Sequence, residues 1–234
     1  MKIVILTTDT AHHRYFIKEL EKNGHNFVNY FFEKKPIKLK FRTGPFQEKK
    51  TKQYEKKFFK EFSEKLNNKK IIRINDINNN KSLNLLREIK PDLGIVFGTS
   101  KIDIKIIKLF KKNLINVHRG IINKYRGIDS ELWAVYHSDF KNIGVAIHEV
   151  DIMLDSGRVY LEKKMHIDKE TQLYNLRYHT TILATKLVNK FLNDYIVLKK
   201  IGKNQKKLGR YYSYMPLLIK KTLSKKLSNY KLKI

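Results

Sequence analysis

Apolar and polar positions fall in blocks that predict an open α/β sheet. Residues 2–6 form a short β-branched run, the polar Thr7-Thr8-Asp9-Thr10 follows, and Tyr15, Phe16 and Leu20 then recur at helical spacing within residues 11–23. This predicts a strand, a loop and a helix that Gly24 ends, with a second strand over residues 26–32. Strand–helix–strand is how open α/β sheets begin, and such sheets hold ligands beyond the carboxyl ends of their strands. The first loop lacks G-x-G-x-x-G, so the dinucleotide fingerprint is absent.

Residues 34–70 are a basic excursion. Within it, Phe41-Arg42-Thr43-Gly44-Pro45-Phe46 predicts a turn, and residues 53–66 predict an amphipathic helix with Tyr54, Phe58, Phe59, Phe62 and Leu66 on one side. An aromatic stripe at that spacing points to core or subunit contact ahead of base stacking. Ile71–Ile74 then predicts a strand, residues 75–80 a polar loop and residues 83–89 a helix. Pro91 introduces Leu93–Phe97, a continuous apolar run typical of a buried parallel strand, and residues 104–110 predict a helix leading to Leu114–His118. Residues 144–151 alternate as a strand, 152–157 form a turn and 159–165 return. The expected fold is an α/β, Rossmann-like, mostly parallel open sheet with flanking helices. Residues 1–195 form its main domain, and residues 196–234 a short basic appendage folded as a hairpin or tail.

Composition narrows the class. The chain has no cysteine, which excludes a disulfide framework, a thiolate nucleophile and any Cys-based metal site. The apolar start is too short for a signal-peptide core, and no run approaches the ~18 residues that cross a bilayer, so a cytoplasmic chain is expected. The net charge of +28 suits an anionic ligand such as a phosphate, a polyglutamate, a nucleic acid or an acidic membrane face. Only 9 of the 50 cationic residues are Arg, while Asn numbers 19. Lys, Asn and Ile together mark A/T-rich coding, and a nucleic-acid reader would lean on Arg, which forks onto guanine and phosphate. The charge supports an anionic ligand without choosing one. After Asp194 there is no acidic residue and 12 of the last 40 are Lys or Arg, so the tail reads equally as a phosphate-touching arm or a solvated basic helix.

Candidate chemistry begins at Leu114–His118. Asn116 and His118 are two apart on one strand, so both point to one face while Val117 points to the other. An amide donor beside an imidazole suits acyl transfer, where one group holds an oxyanion and the other moves a proton. Asp155, offered on the turn before Ser156-Gly157, adds a carboxylate able to orient the imidazole. The eight histidines lack metal-ligand spacing, so no metal is expected.

These motifs meet a family. Asn116-Val117-His118, then Lys124-Tyr125-Arg126-Gly127, Trp133-Ala134, Gly144-Val145-Ala146-Ile147-His148 and Leu154-Asp155-Ser156-Gly157 stand in an order that resembles the formyltetrahydrofolate-dependent formyltransferases. The resemblance covers residues 90 to 165 strongly and the earlier strand–helix order loosely. Three departures stand out. Arg119 replaces the proline that often follows the family's histidine. Thr8-Asp9-Thr10-Ala11-His12-His13-Arg14 replaces the glycine-rich first loop of the glycinamide-ribonucleotide branch. The residues after 195 are too few for the barrel-like second domain of the tRNA branch.

His12-His13-Arg14-Tyr15-Phe16, His118-Arg119-Gly120 and the Tyr-rich tail are most similar to the nucleotide-sugar branch. That branch formylates an amine on a dideoxy-amino-sugar nucleotide, such as dTDP-4-amino-4,6-dideoxyglucose, for O-antigen or related lipopolysaccharide biosynthesis. The resemblance implies 10-formyltetrahydrofolate as co-substrate, with its pterin read by the backbone at Ser100-Lys101-Ile102 and at Ile152-Met153. It implies His118 as general base, Asn116 as oxyanion donor and Asp155 as the group that orients His118. His13, Arg14 and Arg126 are the residues expected to meet the sugar nucleotide, with Tyr211 or Tyr212 either stacking on its base or packing inside. A homodimer is expected to form through the aromatic helix or the tail. Other acceptors remain open on the same chemistry: methionyl-tRNA, glycinamide ribonucleotide or water. A non-enzymatic basic module binding nucleic acid gives Asn116, His118 and Asp155 no role.

Overall fold

The computed structural model describes residues 1–34, 39–59 and 66–234. Seven strands form one sheet: β1 (Ile3–Thr8), β2 (Phe27–Glu33), β3 (Ile71–Ile74), β4 (Leu93–Phe97), β5 (Leu114–His118), β7 (Gly144–Glu149) and β8 (Val159–Lys164). Their order is β3-β2-β1-β4-β5-β7-β8. The first five pair in parallel, and β7 and β8 are added antiparallel at the edge. The strand order reverses between β1 and β4, which opens a crevice at the carboxyl ends of those strands.

Period-two alternation sorts the side chains of β1. Ile3 and Ile5 face one layer, which is closed by Phe16, Ile17 and Leu20 of α1 (Ala11–Lys22) and by Ala184, Val188 and Phe191 of α6 (Leu176–Asn193). Val4 and Leu6 face the other, closed by Leu83 and Leu86 of α3 (Asn80–Ile89) and by Ile106 of α4 (Ile104–Leu109). The polar loop before α3 supplies its cap, since Asn79 Oδ1 accepts the Ser82 N–H at 2.8 Å.

The aromatic helix begins and ends earlier than its pattern suggests, as α2 (Glu48–Phe58). Phe62 lies outside the described residues. Tyr54 meets Tyr174 and Tyr178, and Phe59 stacks on Tyr15 with centroids 4.5 Å apart, so within the described residues the stripe packs on the chain's own α1 and α6.

Of the two forms expected for the C-terminal appendage, hairpin or tail, the chain takes the second. After α7 (Tyr195–Ile201), the short strand β9 (Arg210–Tyr212) pairs in parallel with β6 (Tyr125–Gly127), which follows β5. Two helices, α8 (Leu217–Lys220) and α9 (Leu223–Lys231), complete the chain. Met215, Leu223 and Leu227 are buried against Tyr125 and against Ala134 and Val135 of α5 (Ser130–Tyr136). The basic tail therefore has an apolar inner face. Burying that face outweighs leaving the segment in solvent, at roughly 25 cal/mol per Å² of apolar surface removed from water. Among the described residues, no helix is long and apolar enough to cross a membrane.

Candidate active site

Asn116 and His118 leave the same face of β5 at its carboxyl end, and β7 lies antiparallel beside it with His148 directly opposite Asn116. The turn after β7 returns Asp155 to the same place. Asp155 sits in the left-handed region, at φ 52°, which an aspartate tolerates better than most residues. Its carboxylate is the centre of the cluster. Oδ2 accepts the Gly127 N–H at 2.7 Å and lies 3.5 Å from His118 Nδ1. Oδ1 accepts from Asn116 Nδ2 at 3.2 Å and lies 3.3 Å from His148 Nε2. Burial pushes the Asp155 carboxyl up, but the charge of His118 and His148 in their protonated forms, with the Gly127 N–H, outweighs it and holds the group well below the usual carboxylate range.

The imidazole of His118 is fixed from its far side. Its Nε2 lies 2.8 Å from the Tyr125 carbonyl oxygen, with the Ser130 hydroxyl at 3.4 Å. A carbonyl only accepts, so the ring proton belongs on Nε2 and the lone pair on Nδ1, toward Asp155. The two amide hydrogens of Asn116 point at Asp155 and at His148 Nε2, 3.1 Å away. His148 Nδ1–H in turn donates to the Glu149 carbonyl at 2.8 Å. The structure thus gathers Asn116, His118 and Asp155, and it adds His148 and the Tyr125 carbonyl.

All of these except Tyr125 line a cavity of about 730 Å³. Ser100, Lys101 and Ile102 lie on its wall, held by a residue that the pattern did not single out. Glu33, buried at the end of β2, accepts the Ser100 N–H and Ser100 Oγ–H, both at 2.7 Å, and the Ile77 N–H at 2.9 Å. One carboxylate thereby fixes the loop after β4. Its signal in the sequence was an acidic residue closing an apolar strand in a chain dominated by lysine. Ile152 and Met153 stand exposed beside the cavity, whose wall there is made by Asp151 and Leu154.

The residues expected at the sugar nucleotide lie outside this lining. His13 is buried under the turn at Gly98, with Nδ1 bonded to the Thr8 and Thr10 hydroxyls, and its burial lowers its basicity. Arg14 pairs with Asp9 at 2.6 Å. Arg126 Nε donates to the Leu154 carbonyl at 3.1 Å and Nη1 reaches the Gly209 carbonyl at 3.5 Å, so it ties the Asp155 turn to the tail. Of the two tyrosines, Tyr211 is 49 % exposed and lines the cavity, whereas Tyr212 stacks on Trp133 and Tyr125. Among the described residues, no group of three or more His, Asp or Glu side chains is placed to hold a metal ion.

Comparison with known proteins places this geometry in context. The model of the family described as "Formyl transferase" matches residues 1–191. Methionyl-tRNA formyltransferase of Finegoldia magna is 32% identical over 126 residues, which is 53% of this chain and 40% of that protein. The enzyme of the same name from Borreliella burgdorferi is 34% identical over 125 residues, 53% of this chain and 37% of that protein. The chain spans less than half the length of these curated relatives. Among solved structures, a sugar N-formyltransferase from Shewanella sp. FDAARGOS_354 superposes with a TM-score of 0.60 at 16% identity, covering 91% of this chain and 77% of that one. The formyltransferase PseJ from Anoxybacillus kamchatkensis was solved with UDP-4,6-dideoxy-4-formamido-L-AltNAc and tetrahydrofolate. It superposes with a TM-score of 0.58 at 20% identity, covering 91% of this chain and 86% of that one. At such identities the likeness establishes the fold.

Proposed function

The chain belongs to the formyl transferase family, and from that premise we propose that it moves a formyl group from 10-formyltetrahydrofolate to the amine of a nucleotide-linked amino-dideoxy sugar. The observation that carries the proposal is the convergence of Asn116, His118 and Asp155 on one cavity wall. The amine attacks the formyl carbon, and the carbonyl oxygen gains negative charge. His118 accepts the proton released by the attacking nitrogen at Nδ1. The imidazolium that results is held at both ends, by the Tyr125 carbonyl at Nε2 and by Asp155 at Nδ1. Asp155 is suited to this because it stays ionised. The same proton then passes to the departing folate nitrogen. Asn116 donates to the oxyanion, which requires that one of its amide hydrogens leave Asp155 or His148 when the co-substrate binds.

The pterin is placed against the Ser100–Ile102 backbone, which Glu33 holds still, and against the exposed turn at Ile152-Met153. Tyr211, open to the cavity, offers a face for the nucleobase. The sugar acceptor is suggested by the motifs near the N-terminus and by neighbours of the same fold that are sugar N-formyltransferases. The curated relatives matched in sequence, over about half of this chain, are methionyl-tRNA formyltransferases. The sequence identity of the latter keeps methionyl-tRNA as the second reading. Incubation with 10-formyltetrahydrofolate and a panel of amino-sugar nucleotides tests the proposal. A mass gain of one formyl group on a panel member is expected, and formylation of methionyl-tRNA alone would overturn the sugar assignment.

A further inference from the structure

A second cavity, of about 250 Å³, lies behind the active site and is lined by Gln47, Lys52 and Leu173 among others. Arg119, Asp129 and Glu131 line both cavities and so form their shared wall. Asp129 has its partners. Its Oδ2 accepts the Met215 N–H at 2.9 Å and lies 3.3 Å from Lys220 Nζ.

Arg119 and Glu131 are different. Arg119 lays its guanidinium 4.9 Å over the Phe97 ring, and its Nε is buried with no hydrogen-bond partner. The Glu131 carboxylate is hydrogen-bonded to its own backbone N–H. The two charges attract one another, yet among the described residues they form no ion pair within 4.0 Å. Burial lowers the arginine to about 10, with Glu131 opposing, and burial raises the glutamate, with Arg119 opposing. Both side chains are half-buried on the cavity walls, neither is closed by contact with the other, and Arg119 Nε is buried without a partner, so a ligand entering there meets one open positive and one open negative group. The pair lies next to the chemistry, since Ser130, which precedes Glu131, places its hydroxyl 3.4 Å from His118 Nε2.

We propose that Arg119 and Glu131 bind the acceptor as a zwitterion, with Glu131 receiving its ammonium and Arg119 an anionic oxygen of the carboxylate or phosphate class. This rests on the formyl-transfer reading: the ammonium held at Glu131 first releases one proton to solvent, and the neutral amine that results attacks the formyl carbon and gives its second proton to His118. A nucleoside-diphosphate amino sugar carries both groups. A planar guanidinium suits the anionic end, and an acceptor-only carboxylate suits the three donors of an ammonium.

The test is binding, read by calorimetry with tetrahydrofolate present. The probes are dTDP-4-amino-4,6-dideoxyglucose and its counterpart with a hydroxyl in place of the amine. The wild-type protein is expected to prefer the amine by about tenfold or more. Glu131→Gln removes that preference and leaves tetrahydrofolate binding unchanged. Arg119→Gln weakens both probes alike by about tenfold. Glu131→Gln protein that keeps the full preference, or Arg119→Gln protein that binds both probes as before, overturns the assignment of that residue. If Glu131→Gln fails to bind tetrahydrofolate, Glu131→Asp keeps the charge one methylene further back and must weaken the amine probe alone; equal weakening of both overturns the proposal. A wild-type protein that binds tetrahydrofolate and neither probe overturns the sugar-nucleotide acceptor, and this inference with it.

Discussion

At the scale of single residues, the site is a buried carboxylate surrounded by donors. Asp155 meets Asn116, His118, His148 and the Gly127 N–H within 3.5 Å, so it connects β5, β6 and β7 and, in the proposed mechanism, prepares the base. Losing the imidazole removes proton transfer, worth roughly 10²–10⁴ in rate. Losing the amide removes an oxyanion donor, worth roughly 10²–10³. His118→Ala and Asn116→Ala are therefore expected to lower kcat by those factors with a nearly unchanged thermal midpoint, which single-turnover kinetics and calorimetry check together. Asp155→Asn preserves the backbone conformation, since asparagine also tolerates the left-handed region, and removes only the charge. The folded-state proton affinity of Asp155 is depressed. Its contribution to stability is therefore complete above the ordinary carboxylate value of about 3.9 and is lost as pH falls through its lower folded value. In denaturant titrations the wild type should be more stable than Asp155→Asn at neutral pH, and the gap should narrow below about pH 4.

At the scale of elements, the site depends on a segment whose role a local pattern could not reveal. Gln205 Nε2 donates to the carbonyls of Asp155 and Gly157, and Arg126 joins Leu154 to Gly209, so the tail holds the Asp155 turn. The pairing of β6 with β9 leaves no room at Gly127. That residue has φ +91°, and an added Cβ would stand 2.1 Å from the Tyr212 carbonyl oxygen. Gly127→Ala is thus expected to separate the two strands at a cost of about 1–3 kcal/mol, seen as lost amide protection in β9 and a fall in kcat as the Gly127 N–H leaves Asp155. Strands β1 and β4 were legible in the sequence as apolar runs, and Asn116 and His118 because period two fixes their common face. Other features were hidden for definite reasons. Helix α6 buries Thr180, Thr181 and Thr185 by bonding each hydroxyl to a carbonyl three or four residues earlier in the helix, which blurs its amphipathic stripe. His148 read as one member of an alternating strand, and only the register against β5 places it opposite Asn116. The β6–β9 pair joins three-residue segments more than eighty positions apart, too short and too distant for any local signal.

At the scale of the whole molecule, an excess of 28 positive charges surrounds a site whose own groups are largely paired. The two features act over different distances. Lysines spread over the surface raise the local concentration of any polyanion within a Debye length, about 8 Å at physiological salt, and they do so without regard to its sequence. The cavity, in contrast, is lined by His118, Glu131 and Tyr211, side chains that select by chemical group at short range. These separate contributions make the tRNA alternative testable by salt. If the field alone binds tRNA, methionyl-tRNA and its deacylated form should bind equally, because the phosphates they present are the same. Both affinities should fall together on a steep log–log slope between 50 and 200 mM salt, as counterion release requires. The affinity for an amino-sugar nucleotide, which engages few phosphates, should change far less over the same range. Filter binding measures the first pair and calorimetry the second. A preference for methionyl-tRNA over the deacylated form that persists at 200 mM salt would assign the cavity to the aminoacyl end of tRNA, and the surface charge would then be part of substrate recognition.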